Sequence, residues 1–246
     1  MGVKKSNILI AALVAIIMIL LAFIGVLVYK NFYDGKKNPT EEYYDNKCLA
    51  FGVQNANASK GQIVFIGDSI TDFYLLDDHY ADLPFACYNR GIGGDTTSGV
   101  LKRLKVSLFD ITPKTVVLLI GTNDINGGVG DEVILSNYRQ IIDEIFDNLP
   151  GVELYCVSII PQNEQLQTYS EIDVATTTEK ILRLNPEIRG LAEERGATYV
   201  DLFSAIADAN NRLIGEYSDD GLHLNEAGLG VWTDIMMPYF TEEREK

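Results

Sequence analysis

Ile63-Val64-Phe65-Ile66-Gly67-Asp68-Ser69-Ile70-Thr71 is the stretch from which the rest of the chain can be read. Four apolar residues stop at a glycine, and a short polar turn follows. A continuous apolar run of this length suits a strand covered on both faces, as in a parallel sheet. The pattern recurs: Thr115 to Ile120 stops at Gly121, Leu154 to Ile160 at Pro161, and Thr198-Tyr199-Val200 at Asp201. Cys87-Tyr88-Asn89 adds a less apolar strand. Between the strands the spacing turns helical, with Val100, Leu101, Leu104 and Leu108 in one segment. Val133, Ile134, Tyr138, Ile141, Ile142 and Ile145 mark a second, and Ala227 to Tyr239 a third. Pro186 argues against one helix through Thr178 to Arg195. The expected arrangement is a fresh start there, with Asn185 as N-cap and Pro186 at the first helical position. This alternation predicts an α/β sandwich around a mainly parallel sheet, in which ligands gather beyond the carboxyl ends of the strands.

The chain has 246 residues and a net charge of −15. Its first thirty residues hold Lys4, Lys5 and Lys30 and no acid, leaving 17 basic against 35 acidic groups beyond them. Such a domain is repelled by nucleic-acid phosphates and anionic headgroups, which argues against nucleic-acid binding as its main task. Cys48, Cys87 and Cys156 are widely spaced. They form neither a disulfide framework nor a zinc-ligand pattern, and are expected to be unbridged, with Cys87 and Cys156 in the core.

Ile8 to Val28 is an unbroken run of 21 uncharged, almost wholly apolar residues. As a helix it would measure about 31 Å, close to the hydrocarbon thickness of a bilayer. It exceeds the apolar core of a secretory signal and ends without a small-x-small cleavage site. The expected division is therefore a tail at 1–7, a single transmembrane signal-anchor at 8–29, a linker at 30–40 and a catalytic domain at 41–246. Lysines flank the run on both sides, so the positive-inside rule barely decides orientation. The reading adopted places the N-terminus inside and the domain outside the cytoplasm.

Each distinctive polar cluster follows a strand or precedes the last helix. Ser69 stands where a strand-to-helix turn can present a hydroxyl among free helix N-terminal amides. Taken alone, it reads better as a helix cap. Asn89-Arg90-Gly91-Ile92-Gly93-Gly94-Asp95-Thr96 is rich in glycine, but Thr96 stands where a GxGxxG dinucleotide fingerprint needs its last glycine. Asp95 or Thr96 is the candidate cap of the next helix. Gly121-Thr122-Asn123-Asp124 offers the Asn123 amide. In Asp220-Gly221-Leu222-His223, a carboxylate three residues before a histidine can fix its tautomer. The other histidine, His79, sits among polar residues and is expected at the surface.

In order along the chain, GDSIT, GIGGDTT, GTND and DGLHLN resemble the blocks of the SGNH/GDSL hydrolase family over nearly all of the chain beyond the linker. The resemblance implies a flavodoxin-like three-layer α/β/α fold and a serine esterase needing no metal or cofactor. It implies Ser69 as nucleophile, His223 as general base and Asp220 as its orienting partner. It also implies an oxyanion hole formed by Ser69 N–H, Gly94 N–H and the Asn123 side chain, with the doubled glycine leaving Gly93 as the alternative donor. The GxSxG elbow and HExxH are absent.

The expected reaction is cleavage of carboxylic esters through an acyl-enzyme, with O-acetyl groups on glycans as the favoured substrate. Lysophospholipids or short-chain lipid esters are the alternative. A non-catalytic glycan- or lipid-binding protein on the same scaffold is the competing class. Residues 73–76, 125–131 and 162–173 are the expected pocket linings.

Overall fold

A computed structural model of the chain describes residues 16–26, 38–166 and 174–241. The chain divides into two units, Met1–Tyr43 and Tyr44–Lys246. In the first, residues 16–26 are helical and expose Ile16, Leu20 and Phe23. The apolar run extends beyond these residues on both sides, so the expected anchor lies largely outside the described residues. Among them, no helix is long and apolar enough to cross a membrane.

Helix α1 (Pro39–Asn55) begins where the sequence suggested the end of a linker and continues into the second unit. Its residues are polar on most sides, so no apolar stripe announces it. Polar contacts hold it instead: Tyr44 Oη donates to Gly99 O at 2.8 Å and Asn55 Nδ2 to Val106 O at 2.7 Å. The buried Arg90 guanidinium lies 4.9 Å from the Phe51 ring centroid and donates to Gln54 and Asn55.

Five parallel strands form the sheet: β1 (Ile63–Gly67), β2 (Cys87–Gly91), β3 (Thr115–Leu119), β4 (Glu153–Val157) and β5 (Thr198–Val200). Their spatial order is β2-β1-β3-β4-β5, the flavodoxin-like order. Alternation along the strands splits the core between two faces. Val64, Ile66, Val116, Leu118, Leu154 and Cys156 pack against α4 (Thr97–Leu104), α6 (Asp131–Asn148) and α7 (Val174–Glu194). Ile63, Phe65, Val117, Leu119, Tyr155 and Val157 pack against α3 (Leu76–Tyr80), α8 (Leu202–Ile206) and α9 (Glu226–Thr241). Two short helices complete the set, α2 (Ser69–Asp72) and α5 (Thr122–Asn126), each directly after a strand.

Two expectations fail for one reason. Helix α7 runs unbroken through Pro186, and strand β4 stops at Val157 instead of continuing to Ile160. The Asn185 side chain does not cap a helix. It accepts from Ile159 N at 2.9 Å and donates to Ile159 O at 2.9 Å, taking the place of a neighbouring strand. Pro186 removes one helical donor, but Leu182, whose carbonyl loses it, lies on an exposed turn where water can substitute.

None of the three cysteines is in a disulfide, and burial pushes the Cys156 thiol up to about 12. Cys87 is only half-buried, because β2 is an edge strand and lacks cover on that side. His79 is not a surface residue. Its side chain is 8% exposed, and its Nδ1 lies 3.0 Å from Thr233 Oγ1 between α3 and α9.

Candidate active site

Strand β1 lies between β2 and β3, with Gly67 in register with Gly91 on one side and Leu119 on the other. The loops leaving these three ends are therefore neighbours, and they carry Ser69, Gly94 and Asn123. Close packing seats the first of them. A Cβ on Gly67 would stand 2.2 Å from Leu119 O, and one on Gly91 would stand 2.2 Å from Asp72 N. Helix α2 can lie this low on the sheet edge only because both positions are glycine.

Asp68, not Ser69, caps that helix, its Oδ1 accepting from Ile70 N at 3.0 Å. Half-buried at the first helical position, Ser69 points its hydroxyl at His223, with 2.9 Å between Oγ and Nε2. His223 Nδ1 in turn lies 2.6 Å from Asp220 Oδ2. The spacing of three does not come from a helix. Residues 219–223 form a bend, and Asp220 Oδ1 accepts from both Leu222 N (2.9 Å) and His223 N (2.8 Å). Burial alone would raise the Asp220 pKa, but bonds from the His223 ring and these two amides outweigh it and hold the carboxyl below its ordinary range. An ionised Asp220 places the imidazole proton on Nδ1 and leaves Nε2 to accept from Ser69.

Residues 92–95 form a turn closed by Asp95 N donating to Ile92 O at 3.1 Å, with Gly94 at φ +77°. A positive φ at the third position alone is the type II pattern, which requires glycine there. Gly93 N–H is committed to Asp72 Oδ2 at 3.0 Å. The Gly94 amide is exposed and has no acceptor among the described residues, so the two glycines differ in whether their N–H is taken. Asn123 Nδ2 donates one hydrogen to Asp95 O at 2.9 Å, bringing the third loop against the second and leaving its other amide hydrogen available.

Beneath these groups lies a charged layer that the apolar periodicity hid. Arg103 bonds Asp95 Oδ2 at 2.7 Å, Arg90 O at 2.7 Å and Gly67 O at 2.9 Å. Asp124 accepts from Thr97 N and Thr97 Oγ1. Thr96, the other cap candidate, accepts from Gly99 N. Arg103 sits between core residues Val100 and Leu104 with no local signal that it serves the site. Asp95 and Asp124 at least fall within the quoted blocks.

Asp68 is fully buried, and its Oδ2 has no partner among the described residues. Burial raises its pKa to about 7. The Ile70 amide and Arg103 pull it down, while Asp95 and Asp124 push it further up. A carboxyl raised in the folded state holds its proton there while the unfolded chain has lost it. Stability therefore falls as pH rises from about 4 to about 7, by roughly 2–4 kcal/mol. Unfolding midpoints at pH 5 and pH 8 should show this decline in the parent, and Asp68→Asn should flatten it. An equal decline in the variant would assign it to other groups.

Of the expected pocket residues, Phe73 is exposed, with its ring centroid 5.1 Å from that of His223, and Leu75 is also exposed. Tyr74, Leu76 and Ile125 instead turn into the core, and Gln162 is buried against Asn126. Residues 167–173 of the third segment lie outside the described residues. No group of three metal-ligating side chains occurs among those described.

The profile of the GDSL-like lipase/acylhydrolase family matches residues 65–230, which spans β1 through the start of α9. Platelet-activating factor acetylhydrolase IB subunit alpha1 of Bos taurus is 27% identical over 180 residues, covering 72% of this chain and 73% of that protein. A Streptococcus pneumonia protein linked by name to platelet activating factor superposes with a TM-score of 0.76 at 28% identity, over 88% of this chain and 98% of its own. The acetylxylan esterase Axe2 of Geobacillus stearothermophilus shares the fold, with a TM-score of 0.59 at 19% identity over 75% and 95%. With four sequence blocks assembled at one sheet edge and most of the chain covered by the family profile, the chain belongs to the GDSL-like lipase/acylhydrolase family and is an esterase of that type.

Proposed function

We propose that the chain removes acetyl or similarly short acyl groups from carbohydrate esters, with Ser69 as nucleophile, His223 as general base and Asp220 as its orienting partner. The hydrogen-bonded line Ser69–His223–Asp220 carries this reading. His223 Nε2 takes the Ser69 proton as Oγ attacks the ester carbonyl, and the oxygen of the tetrahedral intermediate is met by Ser69 N–H, Gly94 N–H and the second Asn123 amide hydrogen. His223 returns the proton to the leaving alcohol, then activates water to release the acid. Acetyl esters are common to the names of the curated relatives and the xylan esterases of similar fold. The acidity of the domain favours neutral glycans over anionic lipids. Phe73, exposed beside the His223 ring, favours a second reading in which the alcohol is a short-chain lipid.

The 8–28 apolar run supports a membrane anchor, and reading it as a signal-anchor puts the domain outside the cytoplasm. Protease added to sealed cells should remove the domain if this topology holds.

The decisive experiment treats the protein with a fluorophosphonate and digests it. The expected result is loss of p-nitrophenyl acetate hydrolysis together with a phosphonyl mass on the peptide containing Ser69. Turnover of acetylated xylo-oligosaccharides, acetylated phospholipid and longer acyl esters then ranks the two substrate readings. A protein that binds acetylated glycan but neither hydrolyses esters nor takes the label would be a binding protein.

A further inference from the structure

The donor at Gly94 sits in a turn built from two adjacent glycines, and glycine supplies no steric lock of its own. In a β-turn the central peptide can flip between the type I and type II arrangements, and the flip reverses the direction of the N–H it carries. In the Ile92–Asp95 turn that N–H belongs to Gly94. Its direction must therefore be set by contacts on either side. Asp95 holds the far side through Arg103 and through Asn123. On the near side Gly93 N–H donates to Asp72 Oδ2 at 3.0 Å, and Asp72 Oδ1 lies 2.5 Å from Lys47 Nζ. The Asp72 side chain is 7% exposed and that of Lys47 28%, so the pair is better shielded from solvent than an ordinary surface bridge. Lys47 belongs to α1, which precedes the residues matched by the family profile.

We infer that Lys47 and Asp72 are positioning residues for the esterase reaction, a two-bond relay by which α1 fixes the Gly93–Gly94 turn so that the Gly94 amide faces the developing oxyanion. The inference rests on the esterase reading above. Neither residue touches the ester. Asp72 fixes the orientation of Gly93, and Lys47 keeps the Asp72 carboxylate aimed. Since the alignment matters where charge develops, the effect falls on the transition state and leaves ground-state binding alone.

The test uses the full chain and p-nitrophenyl acetate. Removing a whole oxyanion donor costs about 100- to 1,000-fold, so misaligning one should lower kcat by about 10-fold in Lys47→Met and about 10- to 100-fold in Asp72→Asn. KM should stay within about twofold. Lys47→Arg, which keeps the charge, should recover most of kcat. Combined with Asn123→Ala, Asp72→Asn should cost less than the product of the two single losses, because both variants deplete the same stabilisation. Parent kcat in both Lys47→Met and Asp72→Asn would overturn the relay. So would a fall in kcat that tracks a fall in thermal midpoint and that Lys47→Arg does not rescue, since that marks a purely structural bridge. A parent chain without Ser69-dependent turnover overturns the esterase reading itself, and the relay with it.

Discussion

Replacing Ser69 by alanine is expected to lower kcat for p-nitrophenyl acetate by about 10,000-fold or more, while leaving the unfolding midpoint within about 1 °C of the parent. Two observations separate these effects. The Ser69 hydroxyl lies 2.9 Å from His223 Nε2, so its removal takes away the atom proposed to attack. The cap of α2 is Asp68, whose Oδ1 holds Ile70 N, so alanine at the first helical position disturbs no cap. A residual rate from the remaining oxyanion donors is expected, as happens when one member of such a triad is deleted. Kinetics and thermal unfolding on the same sample decide the matter. If alanine retained a tenth of the parent activity, the nucleophile would lie elsewhere.

The second large effect belongs to Asp220→Asn, expected to cost about 1,000- to 10,000-fold in kcat with KM little changed. The asparagine is nearly isosteric, and its oxygen can still accept from Leu222 N and His223 N. Its amide nitrogen, however, would face His223 Nδ1 as a donor. The imidazole proton then moves to Nε2, and the base can no longer accept from Ser69. The same substitution alters acid sensitivity. The Asp220 carboxyl is depressed in the folded protein, so its contribution to stability is present above the ordinary carboxylate pKa near 4 and lost as pH falls through the lower folded value. The parent should lose that contribution only in acid below about pH 4, and Asp220→Asn should not show the loss. Retention of parent kcat at pH 7 would remove Asp220 from its orienting role.

What could be read in advance follows from how local each signal was. Strands β1 and β3 were legible because burial on both faces leaves an uninterrupted apolar run, and α6 because one face repeats every three to four residues. The four blocks were legible because each is contiguous, and the structure places Ser69 and His223 in contact and Asn123 beside the Gly94 turn. Helix α1 escaped because its anchorage is polar and side-chain specific. The continuity of α7 escaped because it depends on Asn185 bonding a residue 26 positions away. Arg103, Asp72 and Lys47 carry no pattern of their own, and only the folded sheet edge brings them under the turn.

The Ser69–His223 contact joins residues 154 positions apart in the chain. At about 5–20 residues per second, synthesis takes roughly 8–30 s to travel from one to the other. Through that interval a nascent chain carries the proposed nucleophile without its proposed base, and the early strands can collapse before the two meet. Under the proposed reading, onset of ester cleavage in a translation reaction therefore reports the arrival and docking of the Asp220–His223 segment. A ribosome stalled just before residue 220 would display Ser69 without the residue proposed to take its proton.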